Sequence, residues 1–201
     1  MYIDLVDALR CPNAHADSWL VAAAHETLDR CIVRGALGCP VCEAEYPIVA
    51  GIARFGGRTA PVREAPPRDD GERAAEGIRL AALLDLTDPG GIVALGGHWA
   101  DAADAMLALA DVRVLVVEPP DGPPWRVREP VGAVIGALLP VAPGALRGAA
   151  LDEATATPER LDAAVRALRG RGRLVAPADA PLPAGVRALA RDARHWVAER
   201  E

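Results

Sequence analysis

The sequence predicts an α/β protein in two parts. A small N-terminal β-rich zinc ribbon is followed by a reduced, Rossmann-like, mostly parallel sheet with helices. Three observations carry this. Cys11-Pro12-Asn13-Ala14-His15 and Cys39-Pro40-Val41-Cys42 flank short apolar β patterns. Residues 56–71, G-G-R-T-A-P-V-R-E-A-P-P-R-D-D-G, carry proline, glycine and charge without apolar periodicity, as a linker does. Beyond it, apolar strands alternate with helical patterns, with a glycine turn after the first strand and an acid closing the second. The expected units are residues 1–57, a linker at 58–71 and the α/β part at 72–201.

In the ribbon, two thiols separated by two residues point at one tetrahedral ion from a tight turn, with zinc the usual occupant. Cysteine and imidazole across the upstream turn supply the other half. The candidate ligands are therefore Cys11, His15, Cys39 and Cys42. A redox dithiol would open a helix inside a βαβ unit, whereas Tyr46-Pro47-Ile48-Val49 reads as a strand, which favours the metal. Residues 1–10 read as a short helix or strand. Residues 19–24 and 30–37 read as two strands joined by a turn at 26–29. Cys31 reads as a small buried apolar residue and is the substitute ligand should His15 not serve. His25 reads as an exposed turn residue.

After the linker, Asp69 or Asp70 can cap a helix in which Ala75, Ile78, Ala82, Leu83 and Leu86 follow helical spacing. Asp88-Pro89-Gly90 ends it. Residues 91–95 form a strand, Gly96-Gly97-His98-Trp99-Ala100 a turn, and Asp101 opens a helix through Leu109. Residues 112–117 form the next strand, ending at Glu118. Strand, glycine turn, helix, strand and acid make up the first half of a nucleotide-binding fold. Residues 119–130 form a proline-rich loop containing Trp125, and residues 131–138 a third strand. A fourth strand at 149–151 ends at Asp152. Pro158 opens a helix lined by Leu161, Val165 and Leu168, and a strand follows at 173–176. The C-terminal region reads as a short helix at 186–190 and a last strand at 195–199.

Composition excludes several chemistries. All 22 basic residues of the 201 are arginine, and glutamine is absent. Without lysine there is no Walker phosphate loop, pyridoxal Schiff base or kinase lysine. Ser18, the one serine, lacks a G-x-S-x-G setting. No apolar run reaches the length of a membrane span and no charged-then-apolar leader is present. The expected compartment is the cytoplasm, where thiols stay reduced for a metal. A net charge of −6 argues against direct nucleic-acid binding, although residues 158–201 hold 9 arginines against 6 acids.

The string G-A-L-G-C-P-V-C-E-A-E-Y-P-I-V-A-G-I resembles the C-terminal half of the small zinc-ribbon activators of methyltransferases. These are partners of tRNA, rRNA and release-factor methylating enzymes. The resemblance covers residues 1–57, with one departure: the first knuckle is C-P-x-x-H, as in the ribbon preceding an rRNA guanine methyltransferase domain. It implies a protein partner such as a methyltransferase or translation-related protein.

Residues 72–201 resemble class I S-adenosylmethionine-dependent methyltransferases through D-P-G-G-I-V-A-L-G-G, V-L-V-V-E-P, L-L-P-V-A-P-G and A-L-R-G-R-G-R-L-V. The resemblance implies S-adenosylmethionine at Gly96 and Gly97, with Glu118 on its ribose. Departures accompany it. Ala94 replaces the acid closing the first strand, Gly136 stands where an adenine-binding acid is frequent, and the glycine turn keeps one glycine in register. Two functions follow: a non-catalytic binding or activator-type module for a partner, or a small methyltransferase with its activator fused in cis. The degenerate turn favours the first, so enzymatic activity is left open.

Overall fold

A computed structural model describes residues 1–57, 69–121 and 126–201. The strands are β1 (Val21–Leu28), β2 (Cys31–Gly38), β3 (Glu45–Val49), β4 (Ile52–Arg54), β5 (Ile92–Gly96), β6 (Arg113–Val117), β7 (Val131–Ile135), β8 (Leu146–Ala150), β9 (Leu168–Pro177), β10 (Val186–Arg191) and β11 (His195–Arg200). The helices are α1 (Asp70–Leu83), α2 (Ala103–Leu109) and α3 (Pro158–Ala167), with 3-10 helices at Ile3–Ala8 and Gly97–Ala102.

Among the described residues these strands form one 11-stranded sheet, ordered β1-β2-β3-β4-β7-β6-β5-β8-β9-β11-β10. From β4 through β9 every neighbouring pair is parallel. Counted from β5, the parallel block runs third, second, first, fourth, fifth, which is the doubly wound order. The β10–β11 hairpin closes it antiparallel. This is a doubly wound, Rossmann-like α/β fold.

Each central strand is covered on both faces, so I-V-A-L-G of β5 is buried throughout. Val93 and Leu95 pack with Leu80, Leu84, Trp99 and Met106 beneath α1 and α2. Ile92 and Ala94 face the other layer, with Leu5, Leu9, Leu161, Leu174 and Trp196. α1 starts at a capping box in which Asp69 accepts from the Glu72 N–H and Glu72 reaches back to Asp69. Thr157 caps α3, with Pro158 in its first turn. The carbonyls between α1 and β5 are satisfied by buried Arg147, which donates to Asp85 at 2.9 Å, to Gly90 at 3.3 Å and to Asp88.

The N-terminal strands do not stand apart from this sheet. β4 pairs in parallel with β7, Ile52 opposite Ala133 and Arg54 opposite Ile135. Leu9 bridges Val141, and the Ala142 N–H donates to Ala8 at 2.8 Å. Leu37, Tyr46 and Ile48 share one apolar cluster with Leu115 and Leu146. Strands on either side of the expected boundaries at 57 and 72 thus pair with each other, and most of the linker lies outside the described residues.

Other expectations change at local scale. The β1–β2 turn falls at Asp29 and Arg30, so His25 sits within β1, though exposed. The short strand β4 has no counterpart in the sequence reading. The helix expected at Asp101 begins as a 3-10 turn at Gly97. Residues 186–190 are strand, not helix: they lie in β10, whose antiparallel ladder with β11 outweighs the helix preference of Arg, Ala and Leu. Trp125 lies outside the described residues.

Candidate metal centre and the closed crevice

Two turns bring the four predicted ligands together. Cys39 and Cys42 come from the β2–β3 connection, where the Cys39 N–H donates to Ala44 at 2.9 Å and the Glu43 N–H to Cys39 at 3.0 Å. Cys11 and His15 come from the loop after the first 3-10 helix. That loop is held by the Arg10 N–H on Pro140 at 2.9 Å and the Cys11 N–H on Ser18 at 3.0 Å. One ligand atom from each of the four residues lies within 4.8 Å of all the others. Cys11 Sγ is 3.7 Å from Cys42 Sγ, and His15 Nε2 is 3.2 Å from Cys11 Sγ and 3.5 Å from Cys39 Sγ. A tetrahedral zinc with S ligands at about 2.3 Å and N at about 2.0 Å has edges of about 3.5–3.8 Å, so the donor set fits this ion.

The surroundings orient these donors. His15 Nδ1 sits 2.6 Å from the Ala16 carbonyl, so the proton resides on Nδ1 and Nε2 presents its lone pair to the sulfurs. Asn13 donates to Cys42 Sγ at 3.3 Å, and the Tyr46 hydroxyl lies 3.1 Å from Cys11 Sγ. Burial pushes the Cys39 thiol up, but the N–H groups of Cys42 and Val41 outweigh it and hold Cys39 at about 6. Cys31 is not part of the cluster. It is buried in β2 opposite Tyr2, so the substitute-ligand reading fails on position.

The expected cofactor residues stand at the carboxyl ends of β5 and β6, and described neighbours approach each of them closely. At Gly97, with φ of 59°, a Cβ would overlap the Asp152 carboxylate. Asp152 is buried and accepts from the His98 N–H at 2.9 Å and from the Thr155 N–H and hydroxyl at 2.9 and 2.7 Å. His98 Nδ1 lies 3.2 Å away. Burial raises the Asp152 pKa, and the His98 and Thr155 hydrogen bonds more than reverse this, leaving it below the ordinary carboxylate value. Gly96 is closed off by Thr155 and Leu151.

Glu118 is engaged through one oxygen. With φ of 51°, a left-handed conformation rare outside glycine, it folds its buried carboxylate back onto the sheet. Oε1 accepts from the Gly136 N–H at 2.9 Å and lies 3.7 Å from the guanidinium of Arg160, whose side chain is 0% exposed. Arg160 also donates to the carbonyls of Gly136 at 2.8 Å and Thr155 at 3.1 Å. Trp99 is buried in the core between the rings of His98 and His195. Gly97 faces the Asp152 carboxylate, while Glu118 Oε2 is buried without a hydrogen-bond partner among the described residues. The glycine turn and Glu118 each lie beside a charged group of the chain, Asp152 and Arg160. Asp152 and Arg160 were missed by sequence reasoning because no spacing links them to the turn.

No family model and no curated protein matches this sequence. Solved structures give weak likenesses. Geranyl diphosphate methyltransferase in complex with S-adenosylmethionine shares 16% identity at a TM-score of 0.41, with 56% of either chain covered. The geranyl diphosphate C-methyltransferase from Streptomyces coelicolor A3(2) shares 15% at 0.41, covering 63% of this chain and 56% of that one. The cyclase SpnF shares 13% at 0.43, covering 67% and 53%. The chain spans a little over half the length of these structures. Among the described residues, no helix is long and apolar enough to cross a membrane.

Proposed function

We propose that this chain is a zinc-ribbon protein whose methyltransferase-like domain catalyses no transfer and serves as a binding or activator-type module for a partner protein. The observation that carries this reading is the buried Asp152 carboxylate packed against Gly97, a turn residue that the resemblance assigns to the cofactor. Zinc, held by Cys11, His15, Cys39 and Cys42, acts as a structural clamp: four protein ligands leave no open position for chemistry. Exposed Trp19, Val21 and Val41 near the knuckles offer apolar area to a protein surface.

Glu118 at the end of β6 is the feature that supports the other reading, a small S-adenosylmethionine-dependent methyltransferase with its ribbon fused in cis. Calorimetric titration of the zinc-loaded protein with S-adenosylmethionine separates the two. The non-catalytic reading expects no heat of binding; saturable binding at micromolar ligand overturns it.

A further inference from the structure

We propose that Asp152 is an internal anion. Its carboxylate occupies a preformed oxyanion site at the β5 turn, and once vacated that site takes a small exogenous carboxylate such as formate. The inference rests on the reading that the crevice binds no external cofactor. It adds that the crevice is an occupied binding site rather than ordinary packed core.

The geometry is that of a bound ligand. One carboxylate collects hydrogen-bond donors on both oxygens: the His98 N–H and ring nitrogen on Oδ2, and the Thr155 N–H and hydroxyl on Oδ1. The His98 N–H belongs to the turn that follows β5, and Gly97 adopts φ of 59° to present it. A side chain at Gly97 would exclude any anion there, so the glycine serves the carboxylate's approach. Asp152 reaches this site from the end of β8, across the point where the strand order reverses, which is where doubly wound folds receive ligands. Arg160 supplies a nearby positive charge, 0% exposed, that favours an anion in this position.

An Asp152→Ala variant keeps the backbone and removes the carboxylate, leaving the His98 and Thr155 N–H groups without this acceptor. Its thermal midpoint should fall, and sodium formate should restore it progressively relative to sodium chloride at equal ionic strength. Wild type should show no such formate effect. Asp152→Asn, which still fills the space but turns an amide N–H₂ toward these donors, should be destabilised and not rescued. Equal responses of Asp152→Ala and wild type to formate overturn the proposal.

Should Asp152→Ala not fold, Thr155→Val removes one donor and retains the carboxylate. Carboxyl NMR should then place the Asp152 titration at higher pH than in wild type; an unchanged titration refutes the internal-anion assignment. Binding of S-adenosylmethionine by wild type would sink the non-catalytic reading as well. Absent rescue without cofactor binding sinks this inference alone.

Discussion

Leu9 pairs with Val141 in an antiparallel bridge, so the first metal knuckle begins two residues from a contact with the connection between β7 and β8. Together with the parallel pairing of β4 on β7, this ties the candidate metal centre mechanically to the α/β sheet.

The expected consequence is that metal loss is felt beyond the ribbon. An isolated structural zinc site contributes on the order of 10 kcal/mol to folding. Chelation, or Cys39→Ser, should abolish the one-zinc stoichiometry by elemental analysis. It should also raise hydrogen exchange in β1–β4 together with β7 and residues 139–142. Retained protection of β7 and this connection in the metal-free protein would show that the two parts are energetically independent.

The Glu118–Arg160 pair tests how the crevice is held shut. Removing one member of a buried ion pair leaves an uncompensated charge and costs about 3–5 kcal/mol. Arg160→Met alone should therefore lower urea stability by that order. Adding Glu118→Gln, which keeps an acceptor for the Gly136 N–H, should recover part of the loss. Strict additivity would mean that the two side chains do not interact.

His195 gives a pH dependence in mild acid. Burial lowers its pKa below the ordinary 6.5, assisted by the positive charge of Arg79, with Asp192 and Glu153 pulling the other way. The fold therefore binds this proton more weakly than the unfolded chain does. Stability is fully present above pH 6.5 and declines as pH falls below it toward the folded-state pKa. With zinc saturating, the midpoint should drop between pH 7.5 and 5.5, and His195→Phe should flatten the drop. An unchanged slope would assign it to other groups.

At the α1–α2 contact, a Cβ on Gly77 would overlap the Cβ of Ala105. Gly77→Ala should destabilise through overpacking, by about 1–3 kcal/mol, although alanine is the better helix former. Ala105→Gly in the same chain should relieve the overlap, as a urea-denaturation cycle would reveal.

The sequence by itself determined what depends on short spacing. Cys39 and Cys42 share a turn, Asp69 caps one helix and Pro158 opens another, and the apolar runs of β5 and β6 flank a glycine turn and end at Glu118. Each involves neighbours within a few positions, so local pattern fixes it. Tertiary structure decided what depends on distant partners. His15 rather than Cys31 completes the cluster because the ribbon's curl brings the first loop to the β2–β3 turn and leaves Cys31 facing Tyr2. β10 is a strand because β11 offers it a ladder. The fate of the crevice rests on Asp152, 54 residues from His98, and on Arg160, whose spacing from Glu118 carries no motif. Burial there makes the unpaired state of either charge costly, so each is held by partners distant in sequence, which no local pattern could reveal.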